Sequence, residues 1–477
     1  MRFRLGGTLA VLTALSCGFG IQAASAADAG SADMQQRLSQ LKADVQAGED
    51  IQAIKKLQKA YGFYLDKGMW EDLANLFADD AVANYPAGVY VGKKSIREHV
   101  YMNVGGHKEC CILGLGNNRL YNHMNIQPVV HLAPDGKTAY GRWRALATFG
   151  SPGGIAIWAE GVYEMVYKKD HGVWKIEKLD YYDGFGAPYQ TGWAAPKPDP
   201  TGASAKRRRS FRRNLPHPSD RPKPKQCPGF PKACIAPFHY KNLGTTEWGK
   251  VWRLPADLPV KHESESAMRK QVAELTMRAN RLHDEQTIEN LQRRYGYYLD
   301  RGMWDQVADL FADNGTIEMG QRGVYVGKKR IRQFLNLLGP HGPHDGWLND
   351  HFQLQIIADV APDGTTAKSR SREFDMLGHA GGKGYWEEGT FENSYVKQDG
   401  VWKIKSLHFY PTFITDYDKG WAKDAEPVPT ASKKLPPDEP PSEVYQIYPK
   451  AYVPAFHYRN PVTGDRPHYP PVGAPSV

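Results

Sequence analysis

Past its N-terminus the sequence has no apolar run long enough to cross a bilayer as a helix, which excludes an integral helical membrane segment from the body of the chain. Cysteine is scarce, five in 477 residues, and no Cys-x-x-Cys pair occurs. A structural zinc site or a thioredoxin-like redox centre therefore has no ligand set to start from. The formal charge of +9 is not spread as a nucleic-acid-binding face. Much of it gathers in Lys206-Arg207-Arg208-Arg209 and Arg212-Arg213, inside a Pro-rich stretch, so it reads as a solvated connector and no nucleic-acid partner is expected.

What is present begins with an export address. Arg2 and Arg4 precede an apolar stretch from Leu5 to Phe19, and Ala24-Ser25-Ala26 forms a small-residue cleavage site, so residues 1–26 read as a signal peptide. The mature protein is expected to start near Ala27 and to work in the periplasm or outside the cell. Cys17 sits in a weak lipoprotein box, with Ala14 where such boxes carry Leu, and processing at the Ala-x-Ala site is the better reading. Of the remaining cysteines, Cys227 and Cys234 form a local pair that an oxidising compartment could bridge. The adjacent Cys110 and Cys111 are expected to be core residues rather than partners.

The chain is written twice. Residues 61–79 read YGFYLDKGMWEDLANLFAD and residues 295–313 read YGYYLDRGMWDQVADLFAD, identical at thirteen of nineteen positions. The match resumes at Gly88–Lys94 and Gly323–Lys329, at His123 and His351, at Arg142/Arg144 and Arg370/Arg372, at Trp158-Ala159-Glu160 and Trp386-Glu387-Glu388, and at Gly172–Ile176 and Gly400–Ile404. The tails repeat too, Phe238-His239-Tyr240 answering Phe456-His457-Tyr458. The expected organisation is a first domain over 34–193, a Pro-rich basic linker and docking arm over 194–262, a second domain over 268–421 and a C-terminal arm over 422–477. Each arm is expected to dock its shared motif on its own module.

Helical spacing links Leu38, Leu41 and Val45 with Ile51, Ile54, Leu57 and Tyr61; Gly68 ends that run, and Trp70 to Phe77 and Ser95 to Tyr101 read as further helices. Strand patterns follow at 124–132, 138–148, 156–168 and 173–182, with a Pro-Asp-Gly turn at 134–136. Helices first and a meander of long strands afterwards is an α+β order. It predicts a curved antiparallel sheet packed on helices, with a pocket between them.

That order, with Tyr61, Asp66 and Trp70 on the helical segment and Gly-Val-Trp-Lys-Ile in the last hairpin, resembles the SnoaL-like branch of the nuclear transport factor 2 superfamily, and within it modules of the scytalone dehydratase and bile-acid 7α-dehydratase type. The resemblance implies two tandem cone-shaped α+β barrels and covers about 50–185 and 284–412, leaving the arms out. It also implies cofactor-free acid–base chemistry, in which Asp66 orients His123 and the Tyr61 hydroxyl polarises a carbonyl, with Asp300, His351 and Tyr295 repeating those roles. A histidine held by a carboxylate is a base poised near neutral pH. The sequence departs from scytalone dehydratase in lacking a second strand histidine; Arg142 and Arg144, or Arg370 and Arg372, stand there instead. A pocket guanidinium would suit an anionic or phenolic substrate or a developing oxyanion.

Bland readings stand beside these. Asp66 opposes its helix dipole, which favours a functional role over a structural one. The arginines alternate and so share one face of a strand. That face is either the pocket or an outer face paired with Glu160 and Glu164, and the recurrence of both arginines between differing neighbours leans inward. Trp158, Glu160, Trp386 and Glu388 either line a pocket mouth or pack structurally; Trp174 and Trp402 read as hairpin core. His341, His344, Asp345 and His351 crowd one stretch whose first-copy equivalent holds only His107, so no metal is expected. Cys110 and Cys111 have no counterpart in the second copy, which argues against a cysteine nucleophile. The reading is an exported, cofactor-independent lyase, dehydratase or retro-aldol in type, acting on an aromatic or polycyclic small molecule. A non-catalytic periplasmic binding protein, or an isomerase or hydrolase on the same fold, is the alternative. The two copies are expected to form an internal pseudo-dimer, with further homo-oligomerisation left open.

Overall fold

The computed structural model describes residues 31–107, 110–115, 118–194, 217–222, 229–232, 235–242 and 263–470. The leader with Cys17, the basic run and the Cys227–Cys234 pair lie outside them.

The first module runs α1 (Ser31–Asp66), α2 (Trp70–Ala74), β1 (Phe77–Tyr85), β2 (Gly88–Val91) and α3 (Lys93–Glu98), which passes into a π-helical turn over His99–Val104. Four long strands follow: β3 (Leu120–Leu132), β4 (Thr138–Gly150), β5 (Ala156–Asp170) and β6 (Val173–Pro188). The second module repeats this as α4 (Glu265–Asp300), α5 (Trp304–Asp309), β7 (Phe311–Met319), β8 (Val324–Val326), α6 (Lys328–Leu335), β9 (Trp347–Val360), β10 (Thr366–His379), β11 (Gly384–Gln398) and β12 (Val401–Asp416).

Each module folds one six-stranded sheet around its long helix, in the orders β2-β1-β6-β5-β4-β3 and β8-β7-β12-β11-β10-β9. The four long strands are antiparallel, but β1 runs parallel to β6 and β7 parallel to β12, so the sheets are mixed and neither closes into a barrel. The helix predicted over Trp70 to Phe77 stops at Ala74, and Phe77 opens a strand that the apolar pattern does not separate from a helix end. Two recurring devices fix the frame. The Trp174 indole donates to Asp50 at 2.9 Å, and that of Trp402 to Asp284 at 2.8 Å, pinning the last hairpin of each sheet to its long helix. Gly68 ends α1 at φ +65°, and a Cβ there would come within 2.3 Å of the Gly114 backbone, so the turn admits only glycine.

Equivalent residues of the two copies meet, as in a two-fold pairing. The Trp158 and Trp386 rings lie 5.5 Å apart, Tyr189 donates to the Tyr417 carbonyl, and Gly48 faces Leu282. Leu120, Met124, Phe374, Phe413 and Trp421 form an apolar cluster drawn from both modules. Both arms dock on the outer sheet face of their own module. Phe238 covers Arg142 while His239 meets Glu164 at 2.9 Å; Phe456 covers Arg370 while His457 meets Glu392 at 2.9 Å. The C-terminal arm then continues onto the first module, where Asn460 donates to the Asp72 carbonyl at 3.0 Å.

One expectation is corrected. Cys110 and Cys111 are partners, joined in a vicinal disulfide within a loop; Cys110 is half-buried against the first module's core, and Cys111 is exposed at φ +82°.

Candidate active site

The shared carboxylates first serve the backbone. β3 and β9 are edge strands, whose free N–H groups need acceptors. Asp66, at the end of α1, accepts the His123 N–H at 2.6 Å, and Asp300, at the end of α4, accepts the His351 N–H at 2.7 Å. Their side-chain geometry then diverges. In the second module Asp300 Oδ1 lies 3.3 Å from His351 Nδ1, a hydrogen bond that leaves Nε2 available. In the first module the same separation is 3.7 Å, and His123 Nδ1 is buried without a partner.

Arg372 accounts for the difference. It reaches across the module boundary and forms a buried ion pair with Asp66, while also pairing with Glu388 and donating to Asn122. Gln355, from a β9 bulge at φ +53°, enters beside it, accepting the Asn125 N–H at 3.0 Å and donating to the Lys59 carbonyl at 3.1 Å. The equivalent residues of the first module stay at the surface. Gln127 sits in the same bulge at φ +54° but accepts from Arg144 at 2.8 Å, and Arg144 pairs with Glu160. The pairing of the modules is thus two-fold in outline and asymmetric at this seam.

These contacts correct the inward placement of the arginines. Arg142, Arg144, Arg370 and Arg372 lie on the outer sheet face, opposite the face packed on the long helix, and pair across strands with Glu164, Glu160, Glu392 and Glu388. Trp158 packs in the aromatic junction between modules, against Phe374, Trp386 and Trp421. Trp386 shares that junction and also lines a cleft described below. None of these residues is brought to the histidine of its own module.

The inner faces differ more than the outer ones. In the first module Trp143, Ala145 and Ala147 face α1, and the space is filled by rings: the Tyr61 hydroxyl meets that of Tyr85 at 3.1 Å, and Tyr61 packs edge-on to Tyr163. In the second module the same row reads Ser371, Glu373 and Asp375, all essentially inaccessible to solvent. Asp375 stands directly opposite His351 in the β9–β10 register, and Glu373 opposite Gln353, which donates to it. Glu387 faces Asp375 from β11. Burial holds the Glu373 and Asp375 carboxyls well above the usual carboxylate range; at Glu373 the Gln353 hydrogen bond opposes the rise and the charges of Glu387 and Asp300 add to it, while at Asp375 Glu373, Glu387 and Asp300 all add to it. Burial lifts Glu387 to about 7 against the opposing charge of Arg322. Tyr295 is fully buried beside this group, its hydroxyl held above its ordinary range by burial and then by Glu373 and Asp375. Ser371, Glu373, Asp375 and Glu387 escaped the sequence reading because the copies disagree there; alternate carboxylates on a strand with a buried face were the available signal.

Next along the same inner rows come Leu377 and Tyr385. They join Trp347, Leu348, Met376 and Trp386 in a largely apolar cleft of about 450 Å³ at the end of the sheet. Asp300, His351, Asp375 and Glu387 do not line it; Asp375 and Glu387 stand one step back along the rows from Leu377 and Tyr385. Among the described residues no group of His, Cys, Asp or Glu is arranged to hold a metal ion, and no helix is long and apolar enough to cross a membrane.

A SnoaL-like domain model matches this chain over residues 46–180 and again over 280–408, together more than half of its length. Solved structures are similar to part of this chain. A candidate scytalone dehydratase from Novosphingobium aromaticivorans is 23% identical over 29% of this chain and 91% of its own, with a TM-score of 0.27. A hexachlorocyclohexane dehydrochlorinase from Novosphingobium barchaimii is 16% identical over 29% of this chain and 92% of its own, at 0.26. The ActVI-ORFA protein of Streptomyces coelicolor is 15% identical over 26% and 95%, at 0.24.

Proposed function

Since the chain belongs to the SnoaL-like domain family and carries its domain twice, we propose that it is an exported, cofactor-independent lyase whose chemistry resides in the second module. The observation that carries this reading is the Asp300–His351 side-chain hydrogen bond at 3.3 Å, which the first module lacks. A carboxylate on Nδ1 orients the ring and supports the imidazolium that forms when Nε2 takes a proton from carbon. The aromatic cleft beside Asp375 and Glu387 is of a size for a bicyclic or tricyclic substrate, and its Trp347, Tyr385 and Trp386 rings favour an aromatic one. Dehydration begins with such a transfer from carbon, whereas retro-aldol cleavage would use the same base on the hydroxyl proton of the substrate.

The test is turnover of a panel of aromatic β-hydroxy ketones by the mature chain and its variants. His351→Ala is expected to lower kcat/KM by about 100-fold or more, and His123→Ala by less than about threefold. Full activity in His351→Ala, or equal losses in both variants, would sink the assignment.

A further inference from the structure

We propose that Asp375 is the proton donor of the second module, delivering its proton to the leaving oxygen while His351 removes one from carbon; this rests on the lyase reading above. The two residues are cross-strand partners on the inner sheet face, so their side chains start about 5 Å apart and can flank one small substrate group. Asp375 is 1% exposed, and its Oδ1 has no hydrogen-bond partner. Glu373 Oε1 and the Ser371 hydroxyl, both at 0%, are likewise without partners on the same row. Three adjacent buried polar groups left open are costly unless a ligand completes them, since a buried donor or acceptor without a partner keeps its full desolvation penalty. The equivalent positions of the first module are Trp143, whose indole N–H is met by the Tyr167 hydroxyl at 3.0 Å, and Ala145 and Ala147, which have no side-chain polar group to satisfy. Burial first, then the neighbouring charges of Glu373, Glu387 and Asp300, favours the protonated form of the Asp375 carboxyl.

The step balances without a cofactor. His351 Nε2 takes the proton α to a carbonyl, the electron pair forms the C=C bond, the C–O bond breaks, and the Asp375 proton leaves on the departing oxygen as water. The proton on His351 then returns to the Asp375 carboxylate. Glu373, next on the row, is a positioning residue: burial and the nearby charges of Glu387 and Asp300 favour its protonated form, which limits a second charge beside Asp375 when that group ionises.

Two measurements on the full mature chain test the donor. Infrared spectra at pH 7 are expected to show protonated-carboxyl C=O absorption that Asp375→Asn removes in part and Glu373→Gln in part. No such absorption, or absorption unchanged in both variants, overturns the proposal. The second measurement compares elimination from two bicyclic aromatic β-substituted ketones, one losing hydroxide and one losing nitrophenolate. Asp375→Asn is expected to cost the hydroxyl substrate at least about 30-fold more than the nitrophenyl ether, because only the poor leaving group needs the proton. Equal losses overturn it. Asp375→Ala, which installs the residue the first module carries at Ala147, gives the same comparison if the Asn variant misfolds. Failure of the wild-type chain to turn over either ketone would instead count against the lyase reading, a result distinct from equal losses in an active enzyme.

Discussion

The two modules share their outer architecture and differ inside it. Both pin the last hairpin with a Trp–Asp bond, cap an edge strand with a helix-end aspartate, and fold an arm over an arginine–glutamate ladder. Only the second keeps an open carboxylate–imidazole bond and a row of buried acids beneath it. In the first, rings fill the interior, and the aspartate is committed to Arg372. Duplication preserved what folding needs in each half while the interiors diverged: rings fill the first, and a row of buried polar and acidic side chains lines the second.

The largest effect should come from removing the residue that enforces the difference. Arg372 is 2% exposed and neutralises both Asp66 and Glu388, also buried. Arg372→Ala leaves two buried carboxylates unpaired and is expected to destabilise the chain by about 3–5 kcal/mol in urea titrations. Asp66→Asn combined with Glu388→Gln in that background should recover much of the loss. A cost below about 1 kcal/mol for Arg372→Ala would mean that the seam is not clamped as described.

Next in size is a pH effect confined to the second module. Glu387 is raised from 4.5 to about 7 in the folded chain. A raised carboxyl binds its proton more tightly folded than unfolded, so its favourable share is complete below pH 4.5 and is lost as pH climbs through 7. At about 1.4 kcal/mol per unit, Glu387→Gln is expected to stabilise the protein by up to about 3 kcal/mol at pH 8 and by almost nothing at pH 4. The first module has Ala159 at this position, and Ala159→Gln should show no such pH dependence. A pH-independent gain in Glu387→Gln would break the contrast.

Comparison of the copies within the sequence was a good guide to the frame and a weaker one to where each interior is polar. Tyr61, Asp66, Gly68, Trp70, Trp174 and their counterparts recur because each has a structural task that both halves need, and the α+β order and hairpin turns were legible from them. The same recurrence promoted the arginines, which recur as cross-strand partners of glutamates on the outer face. It demoted positions where the copies differ, and Glu373 and Asp375 against Ala145 and Ala147 are where the interiors diverge. β1 and β7 were missed because Leu76-Phe77 and Leu310-Phe311 continue an apolar spacing that a helix also satisfies. The vicinal disulfide was missed because adjacent cysteines bridge only in an unusual backbone turn, which spacing alone does not reveal.

The smallest expected effect is the most direct check on the asymmetry. Arg144 occupies the position of Arg372 and forms the same cross-strand pair, with Glu160, but its side chain is 47% exposed and reaches no carboxylate of the other module. A solvent-screened pair of this kind contributes roughly 0–1 kcal/mol. Arg144→Ala should therefore cost less than about 1 kcal/mol in the same urea titration that costs Arg372→Ala several times more, and the loss should shrink further at high salt. If the two substitutions cost the same, the modules are paired symmetrically in solution. Asp300 would then be clamped by Arg144 as Asp66 is by Arg372, and the second module would lose the feature on which its proposed role rests.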